Sequence, residues 1–452
     1  MIYRFLYSRL IYPAYHWALR DGANSAIREL DHNEKLSAEA LNQVCRYKLK
    51  RLVEFAARNV PYYRNVINDL GMTADEAGDP SNFARIPVLT KSLVHENREL
   101  IVSENLDGNG LDPNSTGGST GEVFRFYSDW RSGSYRKATV RRNKCWLGIL
   151  PGDPEVRLWG APLDLDRAKS LRGTFHSLIT REKLLSAYSM DDVTLQSYFD
   201  YCVRFKPKLL IAYPSALVVF ARFCESQSQS IGSLRAIVCS AESLIDEDRK
   251  FIESVFGVSV YDRYGCREVG DIAQEAPGAS GLLVNSDRVL VEVLDKVGNP
   301  CAPGVQGEVF VTDLDNYGMP LIRYRIGDYA RWAEHDAHAN SRYPFPVLAS
   351  VDGRTLDVVR CPGGQRVGGT YWTILLRNQA GMKRFQVVQD EVAKLRVMYE
   401  RETGSALDLE AYRKDISKTC GPEMQVEFIE TDKFEHEPGT KFRLVLCRVQ
   451  AS

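Results

Sequence analysis

The chain has 452 residues, of which 44% are hydrophobic and 26% charged, with a formal net charge of −1. It is too long for one ordinary core, and its composition is that of a globular protein, so one large and one small domain are expected. The basic stripe of a nucleic-acid binder is missing, which favours small-molecule chemistry.

The N-terminal segment is rich in aromatics, but Arg4 and Arg9 interrupt it and Pro13 breaks it. It reads as a helix docked on the large domain, with contact to a membrane surface as the other reading. No run reaches the roughly 18–20 uninterrupted apolar residues of a membrane span, so no integral membrane segment is expected. The ten cysteines form no CxxC pair and no zinc-type spacing. They read as buried free thiols in a reducing compartment, which points to the cytoplasm.

Along the chain, Leu36, Leu41, Val44, Leu49, Leu52, Val53 and Phe55 recur at helical spacing, and Pro61 is expected to end that helix. Thr90 is expected to cap a helix that begins at Lys91. Short apolar strands are expected at 156–160, 209–213, 236–240 and 258–264. Between them lie helical patterns at 195–205, 215–224 and 244–256, the last with Ser243 as cap and Gly257 just past its end. Alternating strands and helices argue for a mostly parallel sheet, whose ligands bind at the carboxyl ends of the strands. Tyr213, Ser240-Ala241-Glu242 and Tyr264-Gly265 all fall at such ends. From 281 to 335, short strands separated by turns suggest a small β-barrel or twisted sheet attached to the main one. A boundary is expected near Gly353-Arg354, giving a large domain at 1–353 and a small α+β domain at 354–452.

Two stretches suggest chemistry. Ser115-Thr116-Gly117-Gly118-Ser119-Thr120-Gly121 concentrates glycines and hydroxyls, as a loop that cradles phosphate would. It lacks the lysine of a Walker A loop and the spacing of a dinucleotide loop. Taken alone, it is equally a surface loop. In the stretch from Tyr261 to Gly270, Tyr264 can cover a nucleobase, Asp262 can accept from an adenine amine, and Glu268 can hold Mg²⁺. A strand–turn with Tyr264 in the core and Glu268 in solvent explains that stretch equally well.

Taken together, these pieces resemble the adenylate-forming superfamily, and within it the phenylacetate–CoA ligase and CapK-type branch. Ser115–Gly121 resembles its phosphate loop, Tyr264-Gly265-Cys266-Arg267-Glu268 its aromatic-Gly-x-x-Glu core, and Ile322–Asp328 the segment whose aspartate clasps the ribose. Gly353-Arg354 with Asp357 is similar to its hinge, and Lys441 to its small-domain lysine. Tyr213-Pro214-Ser215, Ser240-Ala241-Glu242, Trp159-Gly160 and Val60-Pro61-Tyr62-Tyr63 resemble the narrower branch.

The resemblance implies an α/β fold: a large domain of mixed sheets flanked by helices, and a mobile α+β domain that carries Lys441. It implies activation of a carboxylic acid by ATP and Mg²⁺ to an acyl-adenylate, with CoA as acceptor in close relatives. Ser115, Thr116, Gly117, Gly118, Ser119 and Thr120 would hold phosphates. Ser240, Ala241, Glu242, Asp262, Tyr264 and Gly265 would line adenine. Asp328 and Arg354 would meet the ribose, Glu268 would carry the metal, and Lys441 would meet the charge that develops. Tyr135, Tyr213 and Ser240 would line the acid pocket. Leu356 stands where many relatives carry an acid, and Thr440 where glycine usually precedes the lysine. Two other readings remain: AMP transfer to an acceptor that is not a carboxylate, and a nucleotide-binding partner without turnover. Either a monomer or a homodimer fits the sequence.

Overall fold

The computed structural model describes residues 6–19, 21–105, 110–117, 123–159, 177–187, 190, 192–334, 342–353, 359–364, 366–367, 369–377, 382–401, 405, 407–435 and 445–449. β1 (Leu111–Gly117) and β2 (Val123–Asp129) form an antiparallel hairpin. The next five strands are β3 (Glu155–Trp159), β4 (Glu182–Ser186), β5 (Leu209–Ala212), β6 (Ala236–Ser240) and β7 (Val260–Cys266). They run parallel in the order β4-β3-β5-β6-β7.

Side chains on these strands alternate between two cores. Leu210, Ala212, Ile237 and Cys239 pack under the helices Asp192–Phe205, Pro214–Ser226 and Asp246–Phe256. Leu209, Ile211, Ala236 and Val238 face a second cluster with Leu147 and Ile149. Burial on both faces is why β5 and β6 read as continuous apolar runs.

The same sheet continues through β8 (Gly270–Glu275), β9 (Leu282–Val284), β10 (Val289–Leu294), β11 (Gly307–Asp313), β12 (Tyr324–Trp332) and β13 (Val347–Gly353). Here the order is β7-β8-β9-β13-β12-β11-β10 and every pairing is antiparallel. The small β-barrel or twisted sheet expected over 281–335 is the antiparallel half of this one eleven-stranded sheet, which also takes in β8 and β13.

After it come the short hairpin β14 (Val359–Arg360) and β15 (Arg366–Val367), then a four-stranded sheet. That sheet has the order β18 (Gln425–Glu430), β17 (Lys394–Arg401), β16 (Met382–Glu391), β19 (Val445–Cys447). With the helices Gly369–Arg377 and Leu409–Cys420 it closes a hydrophobic cluster of its own, centred on Trp372, Val387, Val397 and Tyr412.

Several boundaries differ from the sequence reading for physical reasons. The long helix spans Ala38–Asn59 and starts at Ser37, whose hydroxyl accepts from the Ala40 N–H. Pro61 does more than stop it: it opens the next helix, Pro61–Asp69, at a position where its missing N–H costs nothing. Thr90 caps its helix as expected. Ser243 caps nothing. The helix begins at Asp246, where Asp246, Glu247 and Asp248 in the first turn offset the exposed N–H groups. Gly257 ends it in the left-handed conformation.

A cluster of buried charged groups is paired within the core. Asp287 is fully buried and accepts from Arg142 at 2.7 and 2.9 Å and from Asn33 at 3.1 Å. Lys48 donates to the Asp287 carbonyl at 2.9 Å and pairs with buried Asp315 at 3.1 Å. This cluster ties the N-terminal helices to the β9–β10 connection and to the residues after β11. Removing one partner strands the other. Asp287→Ala should therefore lower the unfolding free energy by about 3–5 kcal/mol in urea titration, and adding Arg142→Met should recover most of that loss.

Candidate functional site

The connection from β3 leads outward to β4, whereas the connection from β5 leads the other way, to β6. The order of an open sheet reverses at such a point, and a crevice opens outside the carboxyl ends of the two strands. Trp159 ends β3 and Tyr213 follows β5, and their rings stack there at 4.2 Å with 27° between planes. Pro214 at the first helical position turns the chain directly out of Tyr213. Ser215 then donates to Glu242 from its N–H and its hydroxyl, both at 3.0 Å. Ser240 donates from its hydroxyl to the Arg263 carbonyl at 2.9 Å. The strand-end motifs of β5, β6 and β7 are thus joined side by side. Between them Ala241 has φ of 70°, a left-handed conformation that costs a non-glycine residue energy and marks a constrained position.

The next links cross the sheet. Tyr264 on β7 donates to the Asp328 carboxylate on β12 at 3.0 Å. Tyr324, at the start of β12, donates to Glu268 in the β7–β8 turn at 3.0 Å. Glu268 is buried and also pairs with Lys91 at 3.3 Å. Burial alone would raise its carboxyl pKa. The Lys91 charge and the hydrogen bonds to the carboxyl more than offset that and hold it below the usual range. Lys91 reaches this position because residue 89 bridges to β12: the Leu89 N–H donates to Arg323 at 3.0 Å and the Arg325 N–H to Leu89 at 2.9 Å. Arg323 itself has φ of 51°.

The turn that carries Glu268 is held from behind. Arg136 donates to the carbonyls of Arg267, at 3.0 Å, and Glu268, and Arg288 donates to those of Val269 and Asp271. Asp313 lies beside both guanidiniums, at 3.7 and 3.4 Å. Gly265 is required here because a Cβ would meet the Gly270 carbonyl oxygen at 2.6 Å.

Phe124 on β2 stacks on Tyr324 at 6.0 Å, and Lys91 lies over its ring at 5.4 Å. Phe124 sits opposite Thr116 in the hairpin. The serine–threonine–glycine stretch therefore joins strands anchored beside Glu268. Its first part differs from the loop expected: Ser115, Thr116 and Gly117 belong to β1, because they pair with Arg125, Phe124 and Val123. Gly118, Ser119 and Thr120 lie outside the described residues, as do Arg354, Asp357 and Lys441.

Asp262 is half-buried; burial, then the neighbouring Glu275 charge, push its carboxyl up to about 7. Tyr135 is placed elsewhere. It packs with Ala26, Leu30 and Ala138, with its hydroxyl on Glu29 and Lys48 over its ring. Lys91, Tyr324 and Arg136 had no role in the sequence reading. Their partners lie far along the chain, and only the apolar-Thr-Lys helix start and the tyrosine within Ile322–Asp328 hinted at them.

No family model matches the chain. A phenylacetate–coenzyme A ligase of Aromatoleum evansii is 24% identical over 346 residues, covering 73% of this chain and 74% of its own. One from Escherichia coli K12 is 25% identical over 345 residues, covering 73% and 75%. A solved 2-hydroxyisobutyryl-CoA ligase, in complex with 2-HIB-AMP and CoA in the thioesterification state, superposes with a TM-score of 0.65. It is 18% identical, and 92% of each chain is covered. The chain is similar to phenylacetate–CoA ligases and has the adenylate-forming fold. In this likeness the superposed fold spans nearly the whole length, well beyond the strand-end motifs.

Gly265→Ala should lower stability by about 1–3 kcal/mol in thermal or urea unfolding, because both neighbours at that point are backbone. A neutral substitution would show that the turn is looser than described.

Proposed function

We propose that this protein activates a carboxylic acid with ATP to an acyl-adenylate, releasing pyrophosphate, and then passes the acyl group to CoA. One observation carries the reading: a continuous series of contacts joins Trp159–Tyr213, Ser215–Glu242, Ser240–Arg263, Tyr264–Asp328 and Tyr324–Glu268–Lys91 to the hairpin of Ser115. The similarity to phenylacetate–CoA ligases supports it.

In this reading the nucleotide lies along the series. Asp328 accepts from the ribose hydroxyls, and an ionised acceptor makes such bonds strong. Tyr264 and the strand ends of β6 and β7 line the base. A base amine that donates to Asp262 would favour its ionised form, which the site alone holds near balance at neutral pH. Backbone and hydroxyl groups of residues 115–120 receive the phosphates.

Among the described residues no cluster of three His, Cys, Asp or Glu side chains could hold a metal by itself. Mg²⁺ typically binds through one or two carboxylates together with substrate phosphates, and Glu268, buried and kept ionised, is a hard oxygen donor of that kind. When bound there, Mg²⁺ would neutralise phosphate charge.

The acid's carboxylate oxygen attacks the α-phosphorus and the bond to pyrophosphate breaks. Lys441 meets the charge gained by the phosphoryl oxygens. The acid lies toward Trp159 and Tyr213, whose aromatic rings suit an apolar or aryl acid. Residues 1–353 form the nucleotide domain and residues 354–452 the domain that delivers Lys441. Its separate hydrophobic cluster supports that division.

ATP–pyrophosphate exchange over a panel of aryl, fatty, amino and sugar acids tests the reading. Exchange should depend on an acid, and hydroxylamine should trap a hydroxamate. Exchange with no acid, or no hydroxamate, would favour AMP transfer to another acceptor. Glu268→Gln and Lys441→Ala should each lower the exchange rate by roughly 10²–10³-fold.

Lys91→Met should change the pH dependence. Without that cation a major cause of the lowered Glu268 carboxyl pKa is lost, and the pKa rises. Less of it is ionised at a given acidic pH, so the acid limb of the exchange profile should move to higher pH. An unmoved limb would separate Lys91 from the ionisation that governs the rate.

A further inference from the structure

The N-terminal helix is apolar on both sides, yet the protein covers only one. A π-helical turn, Tyr7–Ile11, runs into the α-helix Tyr12–Leu19. The inner side is fastened to the body. Tyr7 packs on Gly152 and donates from its hydroxyl to the Ile179 carbonyl. Asn24 donates to the Pro13 carbonyl at 2.8 Å, and buried His16 bonds Asp21 at 2.8 Å. On the outer side Leu6, Leu10, Ala14 and Trp17 recur at intervals of three or four residues and are exposed, Leu10 by 61% and Trp17 by 78%. Leu178, next to the carbonyl that holds Tyr7, is 76% exposed. A helix that is apolar all round is normally buried on all sides.

We infer that this outer side lies on an anionic lipid surface. The charge pattern selects that occupant. Residues 1–20 contain Arg4, Arg9 and Arg20 and no Asp or Glu. The first acid, Asp21, is taken up by His16 and by Lys137 at 2.8 Å. Arginines flanking an apolar row with a tryptophan match a helix seated in the headgroup region, with guanidiniums on phosphates and apolar side chains just below them. The two helical segments, of five and eight residues, extend about 20 Å, short of the ~30 Å hydrocarbon core. The helix therefore lies in the surface plane and does not cross it.

Co-sedimentation of the full chain with vesicles tests this, comparing phosphatidylcholine alone with an equal mixture of phosphatidylcholine and phosphatidylglycerol. The protein should bind the mixed vesicles, bind the neutral ones weakly, and be released by high salt. Leu10→Glu should weaken binding about tenfold or more, since it removes one buried apolar side chain and adds a repelled charge. It should leave thermal unfolding and pyrophosphate exchange in solution unchanged. Failure to bind anionic vesicles would overturn the inference, as would binding that Leu10→Glu does not weaken. A concentration-dependent dimer that Leu10→Glu dissolves, without vesicle binding, would overturn it in favour of a second copy of the chain.

Discussion

The site depends on a sheet that has to curl. Strands β7 and β12 are separated by β8, β9 and β13, so in a flat sheet they would lie about 19 Å apart at ~4.8 Å per strand. A tyrosine and an aspartate cannot reach across that gap. Yet Tyr264 on β7 meets Asp328 on β12, and Tyr324 on β12 meets Glu268 at the end of β7. Each strand supplies a phenol to a carboxylate carried by or beside the other. The curl is possible because the strands between them pair over short stretches: β9 has three residues and meets β13 at only two positions.

These bonds are charge-assisted, and each contributes roughly 1.5–3 kcal/mol. The Tyr324 bond weakens if Glu268 loses its charge, which the neighbouring Lys91 helps it keep. That is the structural part played by Lys91, and Arg136 and Arg288 fix the backbone on which Glu268 sits. Ala241 and Arg323, both non-glycine residues in the left-handed conformation, flank the strand ends and the start of β12. The scaffold, by contrast, is conventional, with strands covered on both faces and a buried ion network locking the N-terminal helices down.

The parts governed by local pattern were legible in the sequence. The apolar runs of β3, β5 and β6, the helices between them, the Thr90 cap and the left-handed Gly257 all follow from short-range periodicity and end chemistry. The parts governed by distant contacts were not. Asp112-Pro113-Asn114 carries turn residues, yet becomes strand because β2 pairs with it. Lys91 meets a carboxylate far along the chain, and nothing near residue 91 announces it. Tyr135 looked like a pocket aromatic. Its neighbours Glu29 and Lys48 come from two N-terminal helices whose packing no local motif specifies. The curl itself leaves no local signature, because it is set by side-chain bonds between strands that are not neighbours.

A crystal structure of the protein with ATP and a non-reacting acid analogue addresses this account most directly. The ribose should rest on Asp328, and the phosphates should run between Glu268 and the tip of the β1–β2 hairpin, with β7 and β12 still drawn together. A nucleotide bound away from these residues, or Tyr264 and Asp328 separated by the full width of the intervening strands, would contradict it.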